Sequence, residues 1–194
     1  MARGEEGQTL GLYIVAVAAL FFLAFAFFAV GQASSVRNSA QTAADAAALG
    51  AAVEARDEAH DAFLEALVKG DLPKLTQLLN GQGMPGVGAC GAADGLANAN
   101  RADRQSCARV EGPLGYTVSV LTRGTVGGSV VKGTANLHAT ASATAVVEGR
   151  CVVAGVEGKA VKFSCNKGEE LTIDPTATDF RLNLAQFYTV HLST

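Results

Sequence analysis

Tryptophan is missing from the chain, and aromatic residues make up 6% of its 194 positions. The scarcity is uneven, because five of the nine phenylalanines (Phe21, Phe22, Phe25, Phe27 and Phe28) crowd one short stretch. The rest must be cored mainly by Val, Leu and Ala, which bury less apolar area per residue. Surplus charge is also lacking. Fifteen Lys and Arg stand against eighteen Asp and Glu, a net −3 at pH 7. That balance disfavours nucleic acid or an anionic lipid surface as a partner. None of the four cysteines forms a C-x-x-C pair, so zinc-site and redox spacings are excluded. His60, His138 and His191 fall in no Ser/His/Asp or Cys/His arrangement, so the chain reads as non-enzymatic, with no cofactor.

Charge is absent altogether from residues 10–30, LGLYIVAVAALFFLAFAFFAV. A helix of that length rises roughly 30 Å, the thickness of a bilayer's hydrocarbon core. A chain this small could not surround it as a soluble core helix. A cleavable signal segment stands open beside the membrane helix, with Gly31-Gln32-Ala33 as its small-residue site. The basic bias that would set orientation is thin, with Arg3 on one side and Arg37 on the other. All four cysteines follow the apolar run, and an even, widely spaced set suits an oxidising compartment. The expectation is residues 1–9 as a short cytoplasmic N-terminus, a transmembrane helix at 10–30, and residues 31–194 extracytoplasmic.

Beyond the apolar run, residues 33–69 contain no Pro and one Gly, and alanine dominates. Alanine is the strongest helix former, so the helix is expected to run on from the membrane. Val36, Ala40, Ala43, Ala47 and Ala51 share one helical face. Ala44, Asp45 and Ala48 complete the candidate contact surface. It either packs on the chain's own sheet or meets a partner helix, because small faces allow close backbone approach. Glu54, Glu58, Asp61 and Glu65, with Asp57 and His60 beside them, read as a solvated acidic stripe more than a cation site. Gly70 reads as a C-cap, and Asp71 as the N-cap of a short helix with Pro73 in its first turn.

Residues 81–91 read as a Gly-rich, flexible surface loop. GQGMPG matches G-x-G-x-x-G in letters only, since a helix precedes it and Pro85 interrupts it. Helical composition resumes from Ala92 to Val110, giving a helical region at 31–111. A β region follows at 112–194. Tyr116, Val118 and Val120 alternate with Thr117 and Ser119, and residues 134–147 alternate Ala or Leu with Thr, Ser, Asn or His. Further strands are expected at 151–154, 160–165, 171–173 and 179–192, joined as an antiparallel meander. Of the three connectivities open to four cysteines, locality favours Cys90–Cys107 and Cys151–Cys165. The fold class is α+β: a single N-terminal transmembrane helix extended into a long helix packed on a small antiparallel sheet, pilin-like in outline.

Gly7-Gln8, the apolar helix, Arg37 and then AADAAALGAA at 43–52 together resemble the N-terminal segment of the TadE/TadG-like proteins of Flp-type (Tad) pilus assembly. The resemblance covers residues 7–52. Gly31-Gln32 stands where family members often carry an acidic residue at the end of the membrane helix. The fifth position after Gly4 or Gly7 is Thr9 or Leu12, where processed prepilins carry Glu. The resemblance therefore implies a membrane-anchored assembly or accessory component rather than a polymerising subunit. Its implied partners are the membrane, other pilus or secretion-system membrane proteins, and a second copy of itself. The alternative is a single-pass envelope protein whose β domain binds a ligand or cell-wall component.

Overall fold

The computed structural model describes residues 8–110, 112–128 and 133–193. The start of the expected cytoplasmic segment, with Arg3, Gly4 and Gly7, lies outside them.

Helix α1 (Gln8–Asp57) is one continuous rod of 50 residues, about 75 Å at ~1.5 Å per residue. No proline interrupts it. Its two halves differ in what surrounds them. Side chains from Leu10 to Phe28 are exposed or nearly so, whereas Ala40, Ala43, Ala44, Ala47, Ala48, Ala51, Ala52 and Ala55 are fully buried. The helical run is broken by a turn at Glu58–Ala59 and resumes as α2 (His60–Lys69). Gly70 closes α2 in the left-handed conformation at φ 66°, where a Cβ would be strained. The Asp71 carboxylate then accepts from the Lys74 amide to cap α3 (Leu72–Leu79).

Helix α4 (Ala89–Ala99) lies along α1, and its end marks a departure from the expected helix at 92–110. Arg101 takes a left-handed φ of 56°, and the chain turns into β1 (Ala102–Val110). Propensity for helix in ADRQSCARV loses to pairing with β2 (Leu114–Thr125) along most of its length. Strand structure thus begins ahead of residue 112. β2 pairs in turn with β3 (His138–Gly149), and β3 with β7 (Tyr188–Leu192), giving the order β1-β2-β3-β7, all antiparallel.

The remaining strands form a second sheet in place of one long meander: β4 (Cys151–Glu157), β5 (Ala160–Cys165) and β6 (Glu170–Ile173). β3 starts at His138, so residues 134–137, expected to belong to the strand, form a turn ahead of it. Residues 179–187 also depart from expectation. Despite the parity of Phe180, Leu182 and Leu184, they make a loop with a short 3₁₀ turn at Leu184–Gln186. Gly149, at the end of β3, has no room for a side chain: a Cβ there would stand 2.1 Å from the Leu79 carbonyl oxygen.

The core has two parts. One is the seam of α1 alanines against Val118, Val120 and Ala145 of the first sheet and Ala93 and Ala97 of α4. The other is aromatic. Phe63 of α2, Phe163 of β5 and Phe187 meet with ring centroids 4.9–6.3 Å apart, and Tyr188 joins them edge-on to Phe63. The few aromatics outside the apolar run are thus concentrated where α2 and the two sheets converge.

Candidate functional site

The alanine stripe is the first candidate. Ala40, Ala43, Ala44, Ala47, Ala48 and Ala51 all have 0% exposure, covered by the chain's own sheet and α4. β3 presents Ala141, Ala143 and Ala145 toward the same core. A methyl-lined helix face against a methyl-lined strand face lets the two backbones approach closely and bury their polar surroundings. This face is therefore internal packing. Asp45 sits at its border, half-buried, and its carboxylate accepts from Gln41 Nε2 at 2.7 Å.

The cysteines pair as Cys90–Cys107 and Cys151–Cys165, leaving no free thiol among the described residues. The first ties α4 to β1, and the second ties β4 to β5 at a register pair. The residues of the acidic stripe have separate tasks. Arg56 bridges Asp57, His60 meets Asp61, and Lys69 bridges Glu65, whose carboxyl it holds below the ordinary value through that hydrogen bond. Glu58 reaches across to the amides of Val87 and Gly88, at 2.7 and 2.6 Å. Those amides open α4, whose N-cap residue Gly88 supplies no side chain of its own. Among the described residues no group of three or more His, Cys, Asp or Glu could hold a metal ion.

The loop containing GQGMPG is more firmly held than its glycines suggest. Met84 is buried, Arg109 donates to the Met84 carbonyl at 3.0 Å, and the Tyr116 hydroxyl donates to the Gly86 carbonyl at 3.3 Å. His138 donates from Nδ1 to the Thr122 carbonyl at 2.7 Å, bracing the hairpin, and His191 Nε2 lies 3.9 Å from Glu148.

What remains open to a partner is the apolar half of α1 and the region where it enters the domain. One helix among the described residues is long and apolar enough to cross a membrane, and its apolar window is 0% buried. Just past it, Ser34, Arg37, Asn38 and Gln41 of α1 face Thr140 and Ala141 of β3 across a polar groove of about 440 Å³. Sequence reading did not find this groove, because Thr140 and Arg37 are brought together only by the packing of β3 on α1. A second, smaller cleft of about 290 Å³ lies between Arg150, Glu169 and Asn183.

Residues 7–54 match a protein-family model described as "Putative Flp pilus-assembly TadE/G-like", which is 48 of the 194 residues. The match spans the apolar half of α1, the groove residues contributed by α1 and the buried alanine face. No curated protein and no solved structure matches the chain.

Proposed function

We propose that this protein is a membrane-anchored, non-enzymatic component of a Tad/Flp-type pilus-assembly or secretion apparatus. The observation that carries the reading is the division of α1. A family match to pilus-assembly proteins covers a helix that is exposed and apolar at one end and sealed into its own domain at the other. The apolar half is the anchor. The domain stands on the extracytoplasmic side, where two disulfides suit the oxidising conditions. Contacts with other machinery, or with a second copy, run through the apolar segment at residues 10–30 and the exposed face around Gln41 and Thr42. They do not run through the alanine stripe, which the domain already covers.

The test is photo-cross-linking in living cells, with the reactive side chain at Val17, Gln41 or Thr42 in turn, read by mass spectrometry. Cross-links from Val17 or Gln41 to pilus or secretion proteins, or to another copy of this chain, support the reading. Adducts with lipid alone from Val17, and none with protein from the other two, sink it.

A further inference from the structure

A net charge of −3 speaks against an anionic surface, but the charge is not spread evenly. Residues 7–44 contain no Asp or Glu, and neither do residues 112–147, yet these stretches carry Arg37, Arg123, Lys132 and His138. Of these stretches the described parts, which leave out Lys132, pack together next to the apolar half of α1: the helix as it leaves its apolar run, and the β2–β3 pair. The Arg123 guanidinium is taken by Asp103 at 2.6 Å. Arg37 is exposed and forms no ion pair or hydrogen bond among the described residues.

Arg37 lies seven residues past Val30, ~10 Å along the helix. With residues 10–30 filling the hydrocarbon core, the backbone of Arg37 stands just above a headgroup layer about 5–7 Å thick, and a long side chain tilted toward the helix N-terminus reaches back into it. The groove around it is polar on both walls. Ser34 and Asn38 on α1 and Thr140 on β3 line the groove and make no side-chain hydrogen bond among the described residues. A guanidinium fork with hydroxyl and amide donors nearby is the donor set that a phosphate diester takes.

We propose that this groove holds the phosphate of an anionic phospholipid in the leaflet from which α1 emerges. Arg37 is the charge contact, and Asn38 and Thr140 donate from either wall. The inference rests on residues 10–30 crossing the bilayer.

The experiment uses the full chain in detergent micelles, with phosphatidylglycerol or phosphatidylcholine added and bound lipid read by native mass spectrometry. One arginine at an anionic surface predicts retention of phosphatidylglycerol about fivefold above phosphatidylcholine. Arg37→Gln abolishes the preference, and Arg181→Gln, at an exposed loop position, leaves it intact. Both variants should melt with the native chain, since both arginines are exposed. Equal retention of the two lipids, or a preference that survives Arg37→Gln, overturns the proposal. Displacement of phosphatidylglycerol by equimolar inorganic phosphate makes the groove a soluble-anion site and overturns the lipid assignment. Alkaline carbonate extraction of cell membranes separates the premise from the inference. Release of the protein removes the anchor and the inference with it, whereas a membrane-retained protein without lipid preference overturns the inference alone.

Discussion

Replacing Ala47 by Leu puts an isobutyl group where a methyl is fully buried between α1 and the first sheet. The surroundings have little to give. The strand side of the seam is lined by Ala143, Ala145, Val118 and Val120, short side chains that cannot swing aside, so the backbones themselves must part. Overpacking of this kind costs about 1–3 kcal/mol, and stiff surroundings place this site toward the upper end. Ala47→Gly fails in the opposite direction. It loses a buried methyl at ~0.8 kcal/mol and helix propensity at ~1 kcal/mol, for a total near ~2 kcal/mol. Thr42→Leu is the control: it adds similar bulk on the exposed face of the same helix and should cost about nothing. Thermal unfolding of the full chain in micelles, followed by near-UV circular dichroism, gives the readout. At ~2–4 °C per kcal/mol for a domain of this size, Ala47→Leu should lower the midpoint by ~5–10 °C. If Ala47→Leu melts with Thr42→Leu while cross-linking to partners disappears, the stripe is an external contact surface and its internal packing role is refuted.

Glu58→Gln keeps an acceptor but loses the charge that holds the Val87 and Gly88 amides, and should cost ~1–2 kcal/mol in urea titration. No loss would show that α4 needs no cap from α1. Replacing both Cys90 and Cys107 by Ser opens a link across a sequence separation of 17 and should cost ~3 kcal/mol on the chain-entropy estimate, read from the shift in denaturation midpoint. Tyr188 is buried, its hydroxyl has no partner among the described residues, and burial pushes its phenol well above the ordinary 10.0. The unfolded chain therefore releases that proton first as pH rises. The stability tied to this group is whole below pH 10 and declines above it. Tyr188→Phe should keep the ring contacts, gain ~1 kcal/mol at neutral pH and remove that part of the alkaline decline. An unchanged decline in Tyr188→Phe would refute the assignment.

The features that were legible in sequence are those whose cause is local. The charge-free run at 10–30, the alanine face, Gly70 and Asp71 act within a few residues, and they stand in the structure as helix, helix face, C-cap and N-cap. The alternation of β3 from Ala139 onward was equally readable, because one side of that strand meets the core. β1 was not legible. ADRQSCARV has no alternation, and it is a strand because β2 offers a ladder and Cys90 ties Cys107 into place. The parity of Phe180, Leu182 and Leu184 points toward the core correctly, but the backbone that delivers these side chains is a loop. The division into two sheets was hidden for a related reason, since the chain changes sheets around Arg150, whose amide bonds the Phe187 carbonyl at 2.8 Å. The polar groove between Arg37 and Thr140 joins residues about a hundred positions apart, and spacing on one element says nothing of it.

With residues 10–30 set in a bilayer, as proposed, the unbroken rod of α1 makes the protein a lever. A helix without proline between bilayer and domain has no joint at which to absorb a change of angle. The part of α1 beyond Val30 is 27 residues, ~40 Å of arm, so leaning the anchor by ~20° swings its far end by ~14 Å. Whatever tilts or turns the membrane segment, whether a neighbouring helix or a change in bilayer thickness, is delivered as displacement and torque to the two sheets. Motion within the plane of the membrane can thus be felt tens of ångströms above it, with no rearrangement inside the domain.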